Sequence, residues 1–150
     1  LIERFSGVHD QARQCELFEW RNTAEGCLAE VIILDQFSRN MFRDTPDAFA
    51  SDSLALALAQ SAIASGKDKD LTPEQRTFLY MPFMHSESLK IHDVAIKLFT
   101  DNGIQGNVDF ELKHRDIIEK YGRYPHRNSI LGRISSPEEI EFLEQPGSSF

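Results

Sequence analysis

The sequence lacks the patterns that mark several common classes of protein. No apolar run approaches the length of a membrane span, and no signal-peptide pattern is visible. The glycines are scattered, so neither a GxGxxG nor a Walker nucleotide motif occurs. The histidines show no HxxxH or HExxH spacing, and Cys15 and Cys27 show no CxxC spacing. We therefore expect a cytoplasmic protein with reduced cysteines, no cofactor, no metal site and no membrane association.

An excess of basic charge is also missing from the chain as a whole. The formal net charge is −8, which argues against a nucleic-acid partner. The charge is nevertheless uneven, because the stretch from Lys113 to Arg133 holds six basic residues against two acidic ones. A basic segment on an acidic chain indicates either internal ion pairing or one anion site.

Apolar periodicity and helix punctuation predict an all-α chain, with no convincing strand. The 150 residues suit one domain with a single core. Six or seven helices are predicted, over about 1–14, 24–37, 47–65, 73–82, 86–100, 108–121 and 137–144. The segment 24–37 is apolar nearly all round, which is typical of a helix buried on most sides. Residues 145–150 are expected to form a loose tail.

Particular residues predict where these helices begin and end. Thr72-Pro73-Glu74-Gln75 and Ser136-Pro137-Glu138-Glu139 match capping boxes with proline at the first helical position. Thr45 and Pro46 predict the start of the 47–65 helix, and Pro82 is expected to end or kink its own helix. Asp35 lies near a helix C-terminus, where the dipole disfavours a carboxylate, so we expect Arg39 or Arg43 to neutralise it.

Three blocks of sequence, taken in order, resemble one protein family. The blocks are Leu34–Asn40 with Thr45–Phe49, then Tyr80–Glu87, then Tyr121–Asn128 with Leu131–Arg133. Together they resemble the DUF924 family of bacterial proteins of unknown function. The resemblance implies a tetratricopeptide-like array of antiparallel helices and supplies no catalytic residue. It also implies an earlier helix with a Trp-Phe pair, and we expect that the sequence, which starts at Leu1, lacks this N-terminal helix.

This sequence departs from the family pattern at two positions. Ser38 stands where the family often has proline, and His92 where it often has glutamine. The Trp/Gly/Tyr/Pro consensus of true tetratricopeptide repeats is absent, so the resemblance does not imply repeat-style peptide binding.

The same blocks supply the candidate site, which is rich in arginine and histidine. Paired guanidinium donors suit a phosphate or carboxylate, and histidine beside a carboxylate suits acid–base chemistry. The candidate ligand-binding residues are Arg39, Asn40, Arg43, His85, Glu87, Arg123, His126, Arg127 and Asn128, with Asp35 and His114 as further members of the pocket.

Three functions compete for this cluster. The first is a non-enzymatic binding protein that takes a small anionic ligand or an acidic peptide end. The second is a small hydrolase-like enzyme that uses His126 or His85 with a carboxylate, His126 being the preferred acid or base. The third is a scaffold or homodimer in which the cluster only stabilises the fold. We expect His114 to be a hydrogen-bonded core residue, and His9 and His92 to lie at the surface.

Overall fold

The computed structural model describes residues 2–150, with side chains from Arg4 onward. The chain is all-α, as the sequence predicts, and this described part contains no strand. The helices are α1 Ile2–Arg13, α2 Ala24–Ile32, α3 Ser38–Met41, α4 Asp52–Ala64, α5 Pro73–Met84, α6 Leu89–Asn102, α7 Gln105–Tyr121, α8 Asn128–Leu131 and α9 Pro137–Leu143. Part of the first predicted helix, at Leu1, lies outside the described residues.

Both capping boxes are confirmed. The Thr72 hydroxyl accepts a hydrogen bond from the Gln75 backbone N–H at 3.2 Å, and the Gln75 side chain accepts one from the Thr72 N–H at 2.9 Å. Ser136 and Glu139 form the same reciprocal pair at the start of α9. Gly122 follows α7 with a φ of 75°, a left-handed conformation that a residue without a Cβ atom adopts readily.

The predicted start of the 47–65 helix is wrong. The helix expected over 47–65 begins only at Asp52, and Pro46–Ala48 forms a separate 3₁₀ turn. The Thr45 hydroxyl donates back to the Phe42 carbonyl at 2.6 Å, so it caps no helix. Pro82 lies inside α5, which continues to Met84, so the helix does not end at the proline, and a kink at this residue stays a prediction. Helices α6 and α7 also begin about three residues away from their predicted starts.

The core forms mainly between α2, α4, α5 and α6. Val31, Leu79 and Phe99 are fully buried in its larger cluster, and Leu34 is fully buried in a smaller one beside α1. Burying each of these side chains stabilises the fold by about 1.5–3 kcal/mol. The prediction that 24–37 is buried on most sides is therefore confirmed, whereas the tetratricopeptide-like winding of the helices stays a prediction.

A π-helical turn at Ile33–Phe37 joins α2 to α3 and sets the position of the site. The extra residue in such a turn rotates the following side chains relative to a regular α-helix, and π turns are frequent at functional sites. Here Asp35 is directed into the protein, where it has no exposed surface.

Among the helices of the described chain, none combines the length and apolarity needed to cross a bilayer.

Replacing Gly26 by alanine should destabilise the protein strongly. A Cβ atom at this position in α2 would lie 1.8 Å from the Trp20 carbonyl oxygen, so the backbone must shift. We expect a loss of about 3 kcal/mol in the free energy of unfolding, measured by chemical denaturation.

Gly7→Ala is the matched control, because a Cβ atom there meets no atom within 4 Å. It should stabilise α1 by about 0.5–1 kcal/mol through helix propensity. Equal effects of the two substitutions would contradict this packing between α2 and the preceding turn.

Candidate functional site

The candidate site is organised by the buried carboxylate of Asp35. Its Oδ1 atom accepts hydrogen bonds from His85 Nδ1 at 2.8 Å and from Arg39 Nη1 at 3.2 Å, and its Oδ2 atom accepts one from Gln36 at 2.8 Å. Because an ionised carboxylate only accepts, Nδ1 of His85 carries the proton. The bond joins residues 50 positions apart in the chain and connects α5 to the π-helical turn. The expected neutralisation of Asp35 by Arg39 is confirmed, with His85 as a second partner.

Carboxylates and guanidiniums alternate outward from Asp35. Arg39 forms two parallel hydrogen bonds with Asp52, at 2.8 and 2.9 Å. At the other end, Arg133 forms two bonds of 3.0 Å with Glu87. Arg127 lies between these pairs. We call this set the charge ladder, and its members are Asp35, Arg39, Asp52, Arg127, Glu87 and Arg133.

Arg127 is the member of the ladder whose donors are least used. Its Nη2 atom donates to the His85 carbonyl at 2.8 Å, but Nη1 lies 3.6 Å from Asp52 and 3.9 Å from Glu87, beyond hydrogen-bond length. Within residues 2–150 the buried Nε atom also has no partner. The guanidinium stacks between the rings of Phe49 and Tyr124, with distances of 4.4 and 4.8 Å to the ring centroids. Arg127 is therefore fixed in place while Nη1 remains free to donate.

Two hollows open on the two sides of Phe49, His85 and Arg127. The outer hollow has a volume of about 570 Å³ and its further lining includes Asp52, Glu87 and Leu131. The inner hollow is about 270 Å³ and extends past Met81, Met84, Phe110 and Phe150. The side chain of His85 is 15% exposed and lines both hollows. No hydrogen bond to its Nε2 atom occurs in the described part of the chain.

The environment lowers the pKa values of Asp35 and Glu87, which keeps these two carboxylates of the ladder charged. Burial raises the pKa of Asp35, but the interactions with His85 and Arg39 outweigh burial and leave the pKa below its usual value. Burial likewise raises the pKa of Glu87, and the bonds from Arg133 and the Tyr124 N–H lower it by more. Burial lowers the pKa of Arg127 and the charge of Asp52 opposes this shift. The guanidinium nevertheless stays protonated at neutral pH.

Two further histidines face the inner hollow as neutral rings. Burial lowers the pKa of His114 to about 4, although the Nδ1–H bond to the Phe110 carbonyl opposes this shift. Burial and then the charge of Arg127 lower the pKa of His126 to about 4. The Nδ1 atom of His126 is buried and has no partner among residues 2–150. The carboxylate partner that acid–base chemistry needs therefore belongs to His85 and not to His126.

The remaining candidate residues lie apart from the two hollows. Asn40 and Arg43 are exposed and line a separate hollow of about 430 Å³, which also touches Arg39 and His126. Arg123 lines neither hollow and forms two bonds with Glu139, at 2.9 and 2.8 Å. The Asn128 amide belongs to that same network through Glu139 and Ser135.

Other important residues were not apparent from the sequence. Asp52 and Phe49 carry no spacing signal that would join them to Arg39 and Arg127. The Phe150 ring, in the segment expected to be a loose tail, packs against His114 and His126 with centroids 4.0 and 4.4 Å apart.

The expectation that His9 and His92 lie at the surface is wrong. His9 is buried and hydrogen-bonded to Ser38 at 2.7 Å, and His92 is buried against Glu111 at 2.7 Å. Each residue lies on the buried side of its helix, which an isolated polar residue does not reveal in a sequence. The prediction that His114 is a hydrogen-bonded core residue is confirmed. No group of three or more His, Cys, Asp or Glu side chains in the described residues is placed to hold a metal ion.

Acidification should destabilise the protein through His114 and His126. Between pH 6.5 and 4 the unfolded chain takes up protons on these rings and the folded chain does not, so their contribution is complete above pH 6.5 and is lost as the pH falls. His126→Gln should reduce the loss between pH 7 and 4.5 by on the order of 1 kcal/mol, or about 2–4 °C in melting temperature. Identical pH dependence of melting in both proteins would contradict a neutral His126.

Comparisons with known proteins agree with this fold. The family described as "Bacterial protein of unknown function (DUF924)" matches residues 1–147. The solved structure of the protein of unknown function ATU0120 from Agrobacterium tumefaciens is similar, with 40% sequence identity and a TM-score of 0.91. The alignment covers 95% of this chain and 81% of that one. No curated protein is similar enough to count as a match. The chain belongs to the bacterial DUF924 family.

Proposed function

We propose that this protein is an enzyme in which His85 performs acid–base catalysis on a small carbonyl substrate beside Arg127. The observation that carries the proposal is the 2.8 Å bond between His85 Nδ1 and Asp35, which leaves Nε2 unbonded within residues 2–150. A carboxylate on one ring nitrogen fixes the tautomer and the orientation of the ring, so that the other nitrogen presents a lone pair. The ring lines both hollows, so this lone pair is available to a bound molecule.

Arg127 would supply the complementary electrophilic group. Its guanidinium is held by two aromatic rings and by the His85 carbonyl, so it needs little reorganisation when charge develops on a substrate. The Nη1 atom, which makes no hydrogen bond in the described chain, is the donor that would face a developing oxyanion. Asp35 acts through His85 and is a positioning residue.

Hydrolysis of a carboxylic ester is the reaction that uses both groups with water alone as co-reactant. Nε2 of His85 takes a proton from water while the water oxygen bonds to the carbonyl carbon, and the electron pair moves to the carbonyl oxygen beside Arg127. The carbon–oxygen bond to the leaving alcohol then breaks, and the alkoxide takes the proton from His85. One water is consumed, and an acid and an alcohol are released.

The two competing functions receive less support from the same contacts. An anion-binding protein needs free guanidinium donors, but Arg39 and Arg123 each form two bonds with a carboxylate. Three carboxylates and three guanidiniums balance in the ladder, so a bound anion would add an unmatched charge. A purely structural cluster would leave no donor unused, whereas Nη1 of Arg127 is unused within residues 2–150. The free thiols of Cys15 and Cys27 support placing the enzyme in the cytoplasm.

Removing the imidazole of His85 should abolish esterase activity. With 4-nitrophenyl acetate as the probe, we expect His85→Gln to lower kcat by about 10²–10⁴-fold, because the base is lost while the amide can still bond to Asp35. Asp35→Asn should lower kcat by about 10–100-fold and leave KM nearly unchanged. Both values come from initial rates across a pH series.

Two further variants separate His85 from general effects. Arg123→Gln removes an ion pair outside both hollows and should retain the wild-type rate if the variant is folded by circular dichroism. The dependence of kcat on pH that wild type shows should remain in His126→Gln and be absent from His85→Gln. A wild-type rate no higher than that of His85→Gln would exclude the proposed catalysis.

A further inference from the structure

The inner hollow combines apolar walls with a lining that holds two charged groups, Arg39 and Arg127. Its walls are the thioethers of Met81 and Met84 and the rings of Phe49, Phe110 and Phe150. Thioethers and aromatic edges make favourable contacts with a further aromatic ring. The lining also includes His85, Arg39 and Arg127, the groups that are shared with the proposed chemistry.

The other polar side chains of this hollow carry no charge at neutral pH. His114 and His126 are neutral because burial lowers the pKa of each to about 4. The amide nitrogens of Gln36 and Asn107 already donate to Asp35 and Thr77, at 2.8 Å each. These four side chains therefore offer no charged partner to a ligand.

The volume of the hollow limits the size of the group that it can hold. A cavity of about 150 Å³ accommodates a benzene molecule. At about 270 Å³ the inner hollow has room for one aromatic ring with a short linker, or for two fused rings. A simple acetyl group would leave most of this apolar surface without a partner.

The balanced charges of the ladder favour an uncharged ligand in the inner hollow over an anion. Arg127 Nη1 lies within 4 Å of both the Asp52 and Glu87 carboxylates, and Asp35 lies behind His85. The guanidiniums of Arg39 and Arg127 line this hollow, but Arg39 already forms two bonds with Asp52 and Arg127 lies close to Asp52 and Glu87, so the charges balance and a phosphate dianion would add two unmatched negative charges. A neutral carbonyl oxygen can accept from Nη1 without adding a charge.

We infer that the inner hollow is the acyl-binding pocket, and that the substrate is a neutral ester of an arylacetic or similar aromatic carboxylic acid. The aromatic ring lies between Met81, Met84 and Phe110, and the scissile carbonyl lies between His85 and Arg127. The inference rests on the proposed esterase function for its chemistry, while the binding preference can be measured independently of turnover.

Equilibrium binding of unreactive amides tests the pocket. Phenylacetamide should bind at least about tenfold more tightly than acetamide, measured by protein-observed NMR titration, because only the former fills the hollow. Phenyl phosphate should not compete with it. Met81→Trp, which fills the hollow, should abolish the preference, whereas Phe78→Ala, on the exposed side of the same helix, should retain it.

Met81→Ala is a second variant that tests the pocket if Met81→Trp does not fold. By enlarging the hollow it should weaken phenylacetamide binding and strengthen binding of 2-naphthylacetamide relative to wild type. Equal affinity for phenylacetamide and acetamide in wild type, or unchanged selectivity in Met81→Ala, would overturn the acyl pocket.

Turnover distinguishes failure of this inference from failure of the proposed function. If phenylacetamide binds as expected but neither 4-nitrophenyl phenylacetate nor 4-nitrophenyl acetate is hydrolysed, the pocket stands and the esterase function fails. If both esters are hydrolysed with equal kcat/KM, the esterase function stands and the acyl pocket fails.

Discussion

A carboxylate with no exposed surface is the constraint on which this structure depends. Asp35 cannot stay ionised inside the protein unless nearby donors replace its lost hydration, which would otherwise cost several kcal/mol. His85, Arg39 and Gln36 supply those donors, and two of them come from the same helical segment as Asp35. The third, His85, ties α5 to the π-helical turn. The position of one buried charge thus fixes how α5 lies against the first half of the chain.

The charge ladder extends this constraint to the C-terminal loop. Each carboxylate of the ladder needs a guanidinium partner, and each guanidinium needs a carboxylate. Arg39 therefore pairs with Asp52 as well as with Asp35, and Arg133 pairs with Glu87, which gives a balanced set of charges. Because its charges balance, the ladder has little capacity to bind an external ion. Two groups that line the hollows make no hydrogen bond in the described chain, namely Nε2 of His85 and Nη1 of Arg127. These two groups, a base and a donor beside the same hollows, are the basis of the proposed chemistry on a neutral carbonyl.

Local signals in the sequence predicted local structure well. The helices, both capping boxes and the pairing of Asp35 with Arg39 follow from spacings of three or four residues, which one helix turn imposes. The bond between Asp35 and His85 depends on how two helices pack, which no such spacing encodes. The sequence therefore did not reveal which histidine has a carboxylate partner, and the preference for His126 as acid or base stays a prediction. Pro46 begins a 3₁₀ turn and not the predicted helix, because the Thr45 hydroxyl donates to the preceding Phe42 carbonyl instead of accepting from a following backbone N–H.

The tautomer of His85 tests the central claim most directly. In a long-range ¹⁵N–¹H correlation spectrum of the histidine rings, assigned with His85→Gln, the neutral ring should carry its proton on Nδ1 and an unprotonated Nε2. That result means that Asp35 holds the ring and leaves a basic nitrogen toward the hollows. A neutral ring protonated on Nε2 would contradict the account, because Nδ1 could then not donate to Asp35 and the exposed nitrogen would have no lone pair.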